Sequence, residues 1–228
     1  MRIDLTADQL VALATRLGVP GIPGVRSALL EDGPPELADA LLLTLEAVGH
    51  VIRDGEQLVV DPDLALLLVP LLEGECWVVE RADQDSATTT VVCRLDDVVV
   101  VHARSGELHT LQLAEDLATA LLGLLDASAA AAENVHGVRA ARSRLLDRPV
   151  LASTVGTWRA TTTLQRLSTP AAVEKAGVID GGPGRVWWVT LDPDADDALE
   201  DDPTLLAVPA GPGALGPLLT VWAGAAVH

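Results

Sequence analysis

The feature that most constrains the fold is a change in the spacing of apolar residues at Glu75. Before this point apolar residues recur every third or fourth position, as in amphipathic helices, and beyond it they alternate as in β-strands. Four strands are predicted in succession, over residues 75–82, 88–95, 98–103 and 108–113. Their joints are short and turn-like, so the strands must run antiparallel as a meander. A helix over residues 115–125 follows the meander.

Three helices are predicted before the meander. The first begins at a capping box formed by Thr6 and Gln9, and leucines follow it at helical spacing. The second begins after a pair of prolines and ends at Gly49. Residues 51–60 then favour a small hairpin, and Asp61 caps a third helix with a proline in its first position.

The second half of the chain repeats this scheme. Strands are predicted over residues 156–167, 173–179, 185–191 and 205–209, with a closing helix over residues 215–223. Residues 127–132 and 138–146 favour a helical connection before them, broken near Gly137. Each half is therefore a meander followed by a helix, and two such halves predict a pseudo-symmetric α+β domain with a shared or continuous antiparallel sheet. We predict a single domain over residues 1–228, with an N-terminal half 1–130 and a C-terminal half 131–228.

The charge of the chain excludes several classes of function. It has 33 acidic against 15 basic residues, a formal net charge of −18. Nucleic-acid binding needs a basic surface that displaces counterions, and anionic membrane surfaces repel an acidic protein. No apolar stretch is long enough to span a bilayer, and the N-terminus lacks the apolar core of a signal peptide. We therefore expect a cytoplasmic protein that binds neither nucleic acid nor membranes.

Two further features of composition agree with this expectation. Cys76 and Cys93 fit buried thiols in a reducing compartment. Lys175 is the one lysine among the 15 basic residues. The preference for arginine, together with abundant alanine, is typical of high-GC DNA and indicates an actinobacterial source.

The candidates for chemistry are weak. His102 and His109 flank a predicted turn, and with Cys93 they offer three ligand atoms that zinc uses, although ordinary strand positions are the favoured interpretation. Residues 192–202 begin like a calcium loop but lack its glycine and its final glutamate, which favours a solvated acidic insertion. Residues 211–216 match GxGxxG without the βαβ unit of a dinucleotide site. We therefore expect no enzyme, no catalytic residue, no cofactor and no metal.

Several segments together resemble the EspG-type ESX secretion-associated proteins. They are LTADQLVALATRLG at residues 5–18, VVDPDLALLLVPLL at 59–72, the meander and helix at 91–125, and AGVIDGGPGRVWWVTLDP at 176–193. The resemblance spans nearly the whole chain, which departs from the family in its shorter length and in the acidic insertion. It implies a quasi-two-fold fold with a central antiparallel sheet and helical bundles. It also implies a cytosolic type VII secretion chaperone that binds the helical tip of PPE proteins within PE–PPE dimers, without covalent, metal or nucleotide chemistry.

The tryptophans suggest where such a partner would bind. The chain has five Trp and no Phe or Tyr, and Trp is favoured at binding hot spots although core filling is commoner. Trp187 and Trp188 are neighbours on one strand and so point to opposite faces, which leads us to expect one of them at the surface. The predicted partner-binding residues on the second-half sheet are Trp158, Arg159, Arg185, Trp187 and Trp188.

Three alternatives stay open. The acidic surface also fits an immunity-type protein that neutralises a basic toxin. An uncharacterised hydrolase or a metal enzyme using His102 and His109 is the other functional alternative. A homodimer formed by strand pairing along an exposed sheet edge, such as residues 75–82, is the structural one.

Overall fold

The computed structural model describes residues 1–18, 21–27, 35–55, 57–126, 137–143, 159–167, 173–182, 185–195 and 201–224. It confirms the predicted α+β class with a large antiparallel sheet and helices. The chain divides into two compact units. Unit 1 comprises Met1–Cys76 and Thr90–Asp116, and unit 2 comprises Trp77–Thr89 and Leu117–His228. The single domain divided at residue 130 stays a prediction.

Five helices and twelve strands have described bounds. The helices are α1 (Ala7–Arg16), α2 (Pro35–Ala47), α3 (Pro62–Glu73), α4 (Leu117–Leu125) and α5 (Pro212–Gly224). The strands are β1 (Arg2–Thr6), β2 (Val51–Asp54), β3 (Gln57–Val60), β4 (Glu75–Asp83), β5 (Ala87–Leu95), β6 (Val98–Ser105), β7 (Leu108–Ala114), β8 (Val138–Ala141), β9 (Ala160–Leu167), β10 (Val173–Asp180), β11 (Val186–Leu191) and β12 (Thr204–Pro209).

The helix starts of unit 1 follow the sequence signals. The Thr6 hydroxyl accepts from the Gln9 amide at 3.2 Å, while the Gln9 side chain accepts from the Thr6 amide at 2.9 Å. This is the predicted capping box, which satisfies two amides that the first turn of α1 leaves without helical partners. Asp61 caps α3 by accepting from the amide of Asp63. The five-residue β1 was not predicted. It buries a single side chain, Leu5, and one buried residue does not produce the alternation of apolar and polar positions that marks a strand.

Unit 1 is built on antiparallel strands in the order β1-β7-β6-β5, which confirms the predicted meander order. β2 and β3 form a separate two-stranded hairpin. α3 packs against β6 and β7, and α1 packs against α2. Leucines supply the largest part of the buried core of this unit, with Leu10, Leu13, Leu64, Leu67, Leu71 and Leu111 fully buried.

The expectation of two free thiols is wrong. Cys76 in β4 and Cys93 in β5 form a disulfide within unit 1, with their Cα atoms 4.2 Å apart. The adjacent strands bring both side chains to the same buried place, and neither cysteine is more than 5% exposed. The bond closes a loop with a sequence separation of 17.

The strand order of unit 2 is β4-β9-β10-β11-β12-β8, and the pairs from β9 to β8 are antiparallel. β10, β11 and β12 confirm the predicted strands, and β9 confirms the part of residues 156–167 that is described. The helix expected over residues 138–146 is wrong at its start, because Val138–Ala141 pairs with β12 as a strand, Ala140 opposite Leu205. Residues 127–132 and 144–146 lie outside the described part of the chain.

The structure also corrects the predicted dimer edge. β4, which covers residues 75–82, has hydrogen-bonded neighbours on both sides, β5 and β9, so it offers no open edge for pairing between subunits. Among the described residues, no helix has both the length and the apolar character needed to cross a bilayer.

Candidate partner-binding surface

Arg159 and Arg185 lie at the same end of the unit 2 sheet. They precede β9 and β11, the two strands that flank β10, and the last residue of β10 is Asp180. The Arg159 amide donates to the Asp180 carbonyl at 2.8 Å, and the Gly181 amide donates to the Arg185 carbonyl at 2.7 Å. Strand spacing therefore separates the two arginine backbones by about 10 Å. Sequence reasoning named both arginines, and the structure places them just before the two strands that flank β10.

Asp180 organises this end of the sheet. Its side chain is 2% exposed and lies 3.8 Å from the Arg159 guanidinium. Its other carboxylate oxygen accepts from the amide of Gly182 at 2.7 Å, which fixes the turn into β11. Arg159 keeps 52% of its side chain exposed. The arrangement places an exposed cationic group within ion-pair distance of a buried carboxylate.

The two neighbouring tryptophans are both buried, so the expectation that one is exposed is wrong. Trp187 is 1% exposed and packs with Ile179, Val189 and Ala207 on one face of the sheet. Trp188 is 5% exposed on the opposite face, where its ring meets the Trp222 ring of α5 edge to face, with centroids 6.3 Å apart. Both faces of the sheet are covered at β11, and neither ring reaches solvent.

The partner-binding role of these five residues stays a prediction. Trp158 lies outside the described residues. Trp187 and Trp188 occupy core positions, from which they support the strand that follows Arg185. Arg159 and Arg185 are the members of the set whose side chains the structure leaves exposed.

A second feature of unit 2 escaped sequence reasoning. α4 and α5 contain no charged residue, and they pack against each other. Leu122 of α4 is 39% exposed and Val221 of α5 is 72% exposed. In a chain with a net charge of −18, two solvent-facing helices without a charge form an unusually neutral surface. The uncharged runs 117–125 and 212–224 are the signal that would have identified it.

His102 and His109 contact each other as the sequence suggested, but Cys93 does not join them. His102 and His109 lie diagonally on neighbouring strands, and His102 Nε2 is 2.8 Å from His109 Nδ1. Both rings are buried, and the other ring nitrogen of His102 has no hydrogen-bond partner. Cys93 is committed to the disulfide. No group of three or more metal-ligating side chains occurs among the residues that the structure describes.

The acidic insertion is tied to β8 where it is described. The Arg139 guanidinium bonds the buried Asp192 carboxylate at 2.9 Å and the exposed Asp194 carboxylate at 2.7 Å. An arginine therefore takes the place that a cation would occupy in the calcium-loop interpretation. Residues 196–200 lie outside the described part of the chain. The GxGxxG match at residues 211–216 forms the first turn of α5.

Comparison with solved structures identifies a protein of the same architecture. The chain matches the Mycobacterium tuberculosis type VII secretion system chaperone EspG5, solved in complex with a PE25–PPE41 dimer, with a TM-score of 0.61 at 12% identity. The match covers 96% of this chain and 95% of that one. No protein-family model matches the chain, and no curated protein sequence does. At this identity the match shows the fold alone, and the chain therefore has an EspG-like fold.

Proposed function

We propose that this protein is a cytoplasmic type VII (ESX) secretion chaperone that binds the helical end of a PPE-like protein in a PE/PPE-like heterodimer. The observation that carries the proposal is the match to EspG5 along nearly the full length of both chains, in a structure that holds a PE–PPE dimer. The role requires binding without catalysis or a cofactor. An exposed apolar helix tip is an aggregation hazard, and covering it is a sufficient task for a chaperone.

The surface of unit 2 supports this role in two ways. Uncharged helices α4 and α5 expose Leu122 and Val221, which suits contact with an apolar helix tip. Arg159 and Arg185 supply cations at the end of the same unit's sheet, where polar groups of a partner would fix orientation. We propose that the arginines act by direct contact and that Trp187 and Trp188 act by holding β11 in place.

The test is co-expression of the chain with PE/PPE-like pairs encoded by the same genome. We expect the heterodimer to co-purify with the chain as a stable complex on size-exclusion chromatography. The Arg159→Glu/Arg185→Glu double variant and the Val221→Asp variant should each lower the affinity at least tenfold. Arg2→Glu is the matched control, because Arg2 is an exposed arginine of unit 1 with 61% of its side chain accessible.

Three outcomes would contradict the proposal. The first is that no PE/PPE-like pair of the source organism binds. The second is that the control variant weakens binding as much as the unit 2 variants do. The third is that the chain instead co-purifies with a basic toxin from its native host, which would favour the immunity-type alternative.

A further inference from the structure

We propose that unit 1 carries a separate docking surface for a basic amphipathic helix. The surface comprises α2, the β2–β3 hairpin and α3, and we call it the unit 1 docking surface. Its exposed apolar side chains are Leu43, Val48, Ile52, Val59, Leu66 and Val69. The proposal does not rest on the secretion function proposed above, because it concerns other residues and another class of partner.

The hairpin contributes an apolar pair on its outer face. Ile52 of β2 lies directly opposite Val59 of β3 in the strand register. The two side chains are 49% and 46% exposed, whereas the neighbouring Val51 points inward and is 2% exposed. A hairpin that served only to cover a core would carry polar residues on this outer face. The pair therefore indicates a surface that is covered when a partner binds.

α3 contributes an apolar stripe. One face of the helix is buried through Leu64, Leu67 and Leu71. A helix that buries one face normally carries polar residues on the other, but α3 has no charged residue between Asp63 and Glu73. Leu66 and Val69 are three positions apart on its outer face and are 42% and 37% exposed. This spacing matches the anchors that a partner helix engages.

The charges on these elements specify the partner. The described residues between 35 and 73 include the acids Glu36, Asp39, Glu46, Asp54, Asp61, Asp63 and Glu73. Their one arginine, Arg53, is bonded to Glu46 at 3.0 Å. Elements that combine exposed apolar side chains with this excess of acids complement a helix whose apolar stripe is flanked by lysine or arginine. A second copy of this chain would bring the same acids against themselves, so charge repulsion disfavours self-association through this surface.

The test uses the full-length chain and two synthetic peptides of identical leucine and lysine content. In one peptide the leucines recur at helical spacing on a single face, and in the other the same residues are scrambled. We expect fluorescence anisotropy at low salt to show at least tenfold tighter binding of the amphipathic peptide. Added salt should weaken that binding, because it screens the attraction between the lysines of the peptide and the acids of these elements.

Variants locate the binding site. Leu66→Ser/Val69→Ser should weaken binding of the amphipathic peptide at least tenfold. The Ile52→Ser/Val59→Ser variant should have the same effect, and it tests the same surface if the first variant does not fold. The matched control is Leu108→Ser/Leu191→Ser, which removes two exposed apolar side chains that belong to neither proposed binding surface and should leave the affinity unchanged. Circular dichroism confirms that each variant is folded.

Several results would overturn the proposal. Equal binding of the scrambled peptide would mean that net charge alone attracts the probe. Retained affinity in both unit 1 variants would place the site elsewhere, as would loss of affinity in the Leu108→Ser/Leu191→Ser control. Self-association of the free chain that the Leu66→Ser/Val69→Ser variant abolishes would make a second copy the occupant.

Discussion

His102 Nε2 lies 2.8 Å from His109 Nδ1 in the interior of unit 1. Burial disfavours the charged imidazolium and, together with the charge of a protonated His109, lowers the pKa of His102 to about 4. Burial, followed by the cation of Arg104, also lowers the pKa of His109. Both rings are therefore neutral at pH 7, and one ring donates a hydrogen bond to the other.

This pair predicts a loss of stability in mild acid. The folded-state pKa of His102 lies below its unfolded value of 6.5, so the unfolded chain binds more protons between these values. The contribution of His102 is complete above pH 6.5 and falls as the pH drops toward about 4. Between pH 7 and pH 5 we expect it to remove about 2 kcal/mol from the free energy of unfolding.

Urea unfolding at both pH values measures this contribution. The His102→Leu variant should lose about 2 kcal/mol less than the wild type over the same interval, because it cannot bind the proton. Carboxylates also change with pH, but they are common to both proteins and cancel in the comparison. An identical pH dependence of the two proteins would contradict the prediction.

The disulfide predicts a redox-dependent stability. Cys76 and Cys93 should give no reaction with a thiol reagent in the folded, unreduced protein. Reduction should lower the free energy of unfolding by about 3 kcal/mol, the loop-entropy value for a loop of similar length. The Cys76→Ser/Cys93→Ser variant is the control, since a reductant should leave its stability unchanged. Two reactive thiols in the oxidised protein would refute the bond.

The close packing around Gly74 predicts that no larger residue fits at the end of α3 without strain. A Cβ atom at this position would lie 2.5 Å from the Arg94 carbonyl oxygen and would also clash with the carbonyl of Pro70. Since both neighbours are backbone, Gly74→Ala should cost about 2 kcal/mol or more in thermal or urea unfolding. Gly123→Ala in α4 is the control, because its Cβ meets nothing within 4 Å. That change should be neutral or stabilising by up to about 1 kcal/mol, and a similar loss in both variants would contradict the steric argument.

The burial of Trp187 predicts that replacing it destabilises the folded protein. Its side chain is 1% exposed in a core cluster of unit 2, so Trp187→Ala should lower the free energy of unfolding by about 3–5 kcal/mol. Trp187→Phe should cost less, because it keeps most of the buried ring surface. If Trp187→Ala unfolds at the same urea concentration as the wild type, the ring is not a core element and direct partner contact becomes the better explanation.

The elements that sequence reasoning predicted well are those with local signals. The capping box of Thr6 and Gln9, the meander and the strands that flank Asp180 follow from side-chain chemistry within a few residues. β1 and β8 escaped because short strands are stabilised by neighbours distant in sequence. Val138–Ala141 is extended because it pairs with β12, and nothing in its own four residues requires that conformation.

The candidate site could be predicted only in part, for the same reason. Arg159 and Arg185 were found because they lie within predicted strands, but their common neighbour Asp180 depends on the register of three strands. The burial of Trp187 and Trp188 depends on what covers each face of the sheet. Alternation along one strand predicts which face of the sheet each ring lies on, but not which elements pack over that face.

The described acids of the insertion have a consequence for the outer strand of unit 2. β8 is four residues long and stands last in the strand order, a position at which other chains can add by backbone pairing. Arg139 of β8 is bonded to Asp192 and Asp194, and Ser143 just beyond it is bonded to Asp202. Carboxylates at a short terminal strand repel another acidic chain that approaches it. We therefore expect the described carboxylates beside β8 to disfavour strand addition by a second acidic chain.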